Sequence, residues 1–132
     1  MTTTSTFAND HYADADAVPP AFPIARLDLV EEVRKMRASP RPKEHTGKTL
    51  VRNLDQRLVL MLLDRGAQLP VHHSEAALTI QALDGRVIVS LLESTFDLGP
   101  GQLLAIERDV PHAMIAIEDT AILLTVAWNG HT

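Results

Sequence analysis

The chain has 132 residues, a hydrophobic fraction of 45%, a charged fraction of 22% and a formal net charge of −5. That length suits one domain with a core large enough to need no staples, and the absence of cysteine excludes disulfides, thiolate metal sites and cysteine nucleophiles. The acidic balance argues against a sequence-independent nucleic-acid binder, which clusters Lys and Arg, and the longest apolar runs, 58–63 and 121–124, fall far short of the roughly 18 residues of a membrane span.

Residues 1–22 are rich in Thr, Ser, Ala, Asp and Pro. Such a segment cannot bury enough apolar area to offset its ordering entropy and reads as a disordered tail. It lacks the basic and apolar regions of a secretory signal, so a cytoplasmic protein is expected. Residues 23–44 read as a helix and linker. Asp28 and Glu31 form a capping-box pattern, and Leu29, Val30, Val33 and Met36 recur at helical spacing, opposite Glu31, Glu32, Arg34 and Lys35. The stripe is short and suits packing on the outside of a sheet. Pro40 and Pro42 end the helix and break up the basic residues of 34–43.

From residue 45 to 132 the pattern is that of a β domain. The period falls to two, and turn signals recur about every ten residues. Strands are expected over 50–52, 57–63, 68–72, 77–83, 86–91, 95–98, 103–106, 112–117 and 121–128. Asp84-Gly85, between two apolar runs, is the best hairpin signal. Many short strands without an intervening helix predict an all-β antiparallel sandwich or barrel. The strands over 57–63 and 121–128 are apolar on both faces. Their outer face must therefore be covered, by the helix or by a second copy, and a homodimer is expected.

Two segments carry the chemistry. Gly66-Ala67-Gln68-Leu69-Pro70-Val71-His72-His73-Ser74 leads on to Asp84-Gly85, and Gly101-Gln102-Leu103-Leu104-Ala105-Ile106-Glu107-Arg108-Asp109-Val110-Pro111-His112 follows after a short spacer. This pair resembles the two motifs of the cupin superfamily, at the short spacing of small bacterial cupins. The resemblance covers residues 45–128. It implies a double-stranded β-helix, the RmlC-like jelly-roll barrel, with a metal site inside.

Carried over residue by residue, the first motif puts its first His on His72, its second on Ser74, its Glu on Leu78 and its closing Gly on Gly85. The second puts Glu107 at the family Pro, Asp109 at the Gly, His112 at the His and Ala116 at the final Asn. Two of the four ligand positions are kept, His72 and His112. A divalent ion wants three or four protein ligands. His73 is a stand-in third ligand only if an irregularity near Pro70 lets neighbouring side chains converge, since neighbours on a regular strand point apart. Glu75 and Glu107 are the nearest carboxylates. His11, His45 and His131 read as loop or tail residues, and Arg86 and Arg108 as rim residues that commonly end in exposed ion pairs.

The resemblance implies a conical pocket lined by His72, Ser74, Leu78, Ile80, His112 and Met114, with Leu104 and Ile106 beside them. Two functional classes follow. One is a protein that binds a small, partly polar molecule without needing a metal. The other is a metal-dependent enzyme of dioxygenase or isomerase type, in which His72, His112 and a replacement ligand hold Fe, Mn, Ni or Zn. The missing Glu favours the first. A third role, purely in protein interaction, predicts that pocket residues do not matter. No phosphate loop, nucleophile elbow or zinc-protease motif is present, and Ser74 beside two histidines lacks the relay geometry of a nucleophile.

Overall fold

The computed structural model describes residues 24–127. The tail expected over 1–22, together with His11, Trp128 and His131, lies outside the described residues. The elements run α1 (Leu29–Ala38), β1 (His45–Arg52), β2 (Arg57–Leu63), β3 (Gln68–His72), β4 (Leu78–Asp84), β5 (Val87–Ser90), β6 (Thr95–Leu98), β7 (Leu103–Ile106), β8 (His112–Ala116) and β9 (Thr120–Val126). One sheet has the order β1-β2-β9-β4-β7 and the other β3-β8-β5-β6, every pairing antiparallel. The crossovers between sheets make this a jelly roll, as the motif resemblance implied.

The period of two explains where each side chain goes. On β2, Val59, Met61 and Leu63 enter the core between the sheets, while Leu60 and Leu62 belong to a second apolar cluster outside the larger sheet. On β9, Ile122, Leu124 and Val126 point inward and Ala121 and Leu123 outward. The outer cluster is roofed by α1, whose Leu29, Val33 and Met36 meet Leu50, Leu60, Leu62 and Leu123. The helix therefore supplies the cover that these two-faced strands require. Val30, read from the sequence as part of the helical stripe, is 82% exposed. It follows Leu29 directly and so stands about 100° round the helix from it.

Asp28 caps α1, its Oδ1 accepting from the Glu31 N–H at 3.1 Å. Only half of the expected capping box forms, because the Glu31 carboxylate accepts from the Arg34 guanidinium, at 2.9 and 2.6 Å. Ion pairs from Glu32 to Lys48 (3.3 Å) and from Arg37 to Asp84 (2.7 Å) tie the helix to the sheet.

Two expectations are corrected. Asp84-Gly85 is not a hairpin: β4 pairs with β7 and β9, whereas β5 pairs with β6 and β8, so this turn crosses from one sheet to the other. Gly85 is required by φ +86° and by the 118–120 turn beneath it, where a Cβ would stand 2.6 Å from Thr120 Oγ1. β1 starts at His45 rather than at residue 50, and His45 is its first residue, not a loop histidine. The polar run His45-Thr46-Gly47-Lys48 has weak strand propensity, but pairing with the strongly apolar β2 overrides it.

Candidate functional site

One end of the jelly roll collects the sequence motifs. The 73–77 loop joins β3 to β4 there, and the 107–111 loop joins β7 to β8. In the smaller sheet, His72 and His112 are direct cross-strand partners. The register between Leu69 and His72 is irregular, across Pro70, which has no N–H to give the ladder. The irregularity thus lies before His72 rather than between His72 and His73.

On β8, His112, Met114 and Ala116 alternate onto the buried face, and His112 is only 1% exposed. Its Nδ1 lies 3.0 Å from the Val110 carbonyl oxygen. A carbonyl can only accept, so Nδ1 carries the proton and Nε2 the lone pair of the neutral ring. Burial pushes the imidazole below the ordinary histidine range. The Val110 carbonyl opposes that shift, and the neighbouring His73 adds to it by charge repulsion. The result is a neutral, oriented imidazole able to accept a hydrogen bond, take a proton or ligate an ion.

Around it the motif residues divide. Leu78, Ile80 and Met114 belong to the apolar core with Ile106, and Leu104 packs against that core half-buried. Ser74 is buried, but its Oγ accepts from the Ala76 N–H at 3.0 Å, the bond of a tight turn. Its carbonyl accepts from the Asp109 N–H at 2.7 Å, which clamps the two loops together. Asp109, at the family glycine position, has φ +64°. This left-handed backbone is held by an aspartate, one of the few residues other than glycine that tolerate it. His73 lies past the end of β3, exposed, with Nδ1 3.8 Å from Asp109 Oδ1. Glu75, Glu107 and Arg108 are exposed, and Arg86 pairs with Asp97 at 2.6 Å, across the β5–β6 ladder and away from this end.

Sequence reasoning missed Arg57 and Thr49. In the larger sheet the register Arg57–Val126–Leu78–Ile106 forms one transverse row at this same end. Its three apolar members all belong to the inner core. Arg57 shares their face and is only 3% exposed. Its Nη2 and Nε donate to Thr49 Oγ1 at 3.0 and 3.4 Å, and Thr49 is buried too. The signal was present: Arg57 has the parity of Val59, Met61 and Leu63. A charged residue opening a strand nevertheless reads first as a solvated flank.

The residues do not make up the four-ligand site of the family. The Ser74 hydroxyl is engaged with backbone, Leu78 is packed in the core, and among the described residues no group of three or more His, Asp or Glu side chains gathers around one point. Among the described residues, an apolar groove of about 490 Å³ lies between α1 and the end of β4, including Leu29, Val33 and Leu83. A polar hollow of similar volume includes Lys43, Asp64 and Arg65, and one of about 620 Å³ lies along Arg26 to Val30. Among the described residues, no helix is long and apolar enough to cross a membrane.

No family model matches the sequence, and no curated protein is similar to it. Solved structures are similar in fold. A conserved protein of unknown function from Streptococcus pyogenes aligns over 86% of this chain and 95% of its own, with a TM-score of 0.66 and 23% identity. KdgF from a Halomonas species aligns over 63% and 78%, at 0.60 and 23%. A cupin superfamily protein from Desulfitobacterium hafniense aligns over 68% and 83%, at 0.64 and 14%. The chain has the cupin fold. A fold of this kind hosts many chemistries, so function must be argued from the site.

Proposed function

We propose that this small cupin-fold protein binds a small, partly polar molecule between its sheets, at the end where His112 stands. The observation that carries the reading is His112 itself: 1% exposed, inward-facing, neutral, and fixed in one tautomer by the Val110 carbonyl. A buried imidazole costs stability relative to an apolar residue of similar size. Met114 shares its buried face of β8, and Leu78 and Ile80 belong to the same inner core as Met114; a few placed polar groups among apolar ones is the composition of a small-molecule site. His72 is the backbone partner of His112 across the strands, and Ser74 shapes the rim by holding Asp109. The loss of the family carboxylate at Leu78 and of the second His at Ser74 supports binding over metal-dependent catalysis.

The test is a fragment screen by ligand-observed NMR, read alongside the His112 ring resonances. Bound fragments are expected to shift those resonances and to lose about tenfold in affinity in His112→Gln, the worth of one hydrogen bond in a desolvated site. Fragments that bind without moving His112, or with equal affinity for the variant, overturn the reading.

A further inference from the structure

We propose that two copies of this chain associate through α1, antiparallel about a two-fold axis, each laying Val30 into the groove between the other's α1 and β4. This surface lies outside the sheets, and the proposal is independent of the ligand reading above. The roof of the larger sheet is incomplete. α1 packs over Leu50 of β1, Leu60 and Leu62 of β2 and Leu123 of β9. Toward the β4–β7 edge the cover thins. There Leu83 is half-buried in the apolar groove of about 490 Å³ that Leu29, Val30 and Val33 line from the helix side. Leu103 of β7 pairs with Gln81, whose neighbours Ile80 and Ala82 point into the core. It therefore faces outward like Leu83, and it is 52% exposed. Val30 stands exposed at the lip of the groove. Apolar side chains gathered in this way mark a surface for a protein partner.

Charge identifies the occupant as a second copy. The charges around the groove are paired within the chain: Arg34 with Glu31 at 2.6 Å, Lys35 with Glu32 at 3.5 Å and Arg37 with Asp84 at 2.7 Å. The patch is thus balanced in a chain of net charge −5. It offers little to a strongly acidic or basic partner, and it meets its own copy without a clash of net charge. The helix is also polarised along its length, with Glu31 and Glu32 in the first turn and Lys35 and Arg37 in the last. Antiparallel approach sets the acidic turn of each copy against the basic turn of the other, whereas parallel approach sets like against like. The same arrangement places Val30. The Arg37–Asp84 pair puts the end of β4, and with it Leu83, beside the last turn of α1. An antiparallel partner brings its first turn, and so its Val30, to that point, and the two-fold repeats the contact. One helix of 10 residues and its groove make a small interface, so the dimer is weak and reversible, with a Kd on the order of 100 µM.

Equilibrium sedimentation of the full chain, from about 10 µM to about 1 mM, is expected to pass from monomer to dimer. Val30→Asp is the interface variant. The residue is exposed, and an acid in the first turn suits a helix N-terminus, so the monomer keeps its fold while the dimer is expected to weaken at least about tenfold. Because the chain has no cysteine, single-cysteine variants locate the contact. Arg34→Cys, near the middle of α1 and hence near the axis, is expected to cross-link to its own copy through a short bismaleimide. Leu92→Cys, exposed on the β5–β6 turn, is expected not to. A chain still monomeric at about 1 mM, a dimer that Val30→Asp leaves intact, or cross-linking at Leu92 in place of Arg34 overturns the proposal. So does a full chain that stays monomeric while the chain beginning at residue 24 dimerises, which would make residues 1–23 the occupant of the groove.

Discussion

At the scale of single residues, this end of the molecule depends on conformations and protonation states that an apolar interior makes costly. His112 shows this most directly. Because burial lowers its proton affinity, the unfolded chain binds a proton at higher pH than the folded chain does. Between those two values the unfolded state holds more protons, so stability rises with pH across that window. The contribution is fully present above the ordinary histidine range near 6.5 and is lost as pH falls through it. Urea unfolding at pH 7.5 and 5.5 is expected to show a drop in stability for the wild type and a smaller one for His112→Gln. Equal drops would mean that His112 is not the group responsible. Asp109 makes a related point. Its φ of +64° is a left-handed backbone, and its N–H reaches the Ser74 carbonyl. One residue thus fastens the loops through its backbone and places a carboxylate beside His73.

At the scale of elements, the crossover turns are where sequence pattern and structure part. Gly85 looked like a hairpin glycine and instead lets the chain pass from the larger sheet to the smaller while the 118–120 turn presses against it. Alanine there meets both a disfavoured φ and the Asp119 carbonyl. Gly85→Ala is therefore expected to cost more than about 2 kcal/mol and to lower Tm by roughly 5–10 °C, measured by calorimetry; a shift under about 2 °C would show that the turn can relax. The strands themselves were legible because alternation and turn residues are local properties: 57–63, 68–72, 95–98 and 103–106 coincide with β2, β3, β6 and β7. Which strands pair is not local, and Asp84-Gly85 carries the same turn chemistry whether it folds back or crosses over. The site divides in the same way. That the backbone of His72 lies opposite His112 was legible because motif spacing brings the two segments to one end. Arg57 and Thr49 were not, because only the registers β1–β2 and β2–β9 bring them onto the inner face at this end.

At the scale of the whole molecule, the two ends of the jelly roll are fastened differently. The end away from His112 is held by Arg65 N–H to Asp119 Oδ1 at 2.8 Å, Arg86 N–H to Thr120 Oγ1 at 3.0 Å and Gly66 N–H to the Ala116 carbonyl at 2.7 Å. Across the His112 end, the 73–77 and 107–111 loops are linked by the Ser74–Asp109 backbone bond at 2.7 Å and by the contact of His73 Nδ1 with Asp109 Oδ1 at 3.8 Å. The outer face of the larger sheet presents a separate problem. Leu50, Leu58, Leu60, Leu62 and Leu123 form an apolar surface that, among the described residues, α1 and the adjoining Leu27 cover. The sequence reading offered the helix or a second copy as the cover, and α1 packs on this face. Removing residues 1–43 uncovers several leucines on adjacent strands, a contiguous patch of the kind that drives association. The truncated chain is expected to self-associate at micromolar concentration in sedimentation velocity, and to melt below the full chain, because Met36, Val33 and Leu29 no longer bury their side chains at about 25 cal/mol per Å². A truncated chain that sediments like the full-length protein and keeps its Tm would show that the helix is not the cover the sheet needs.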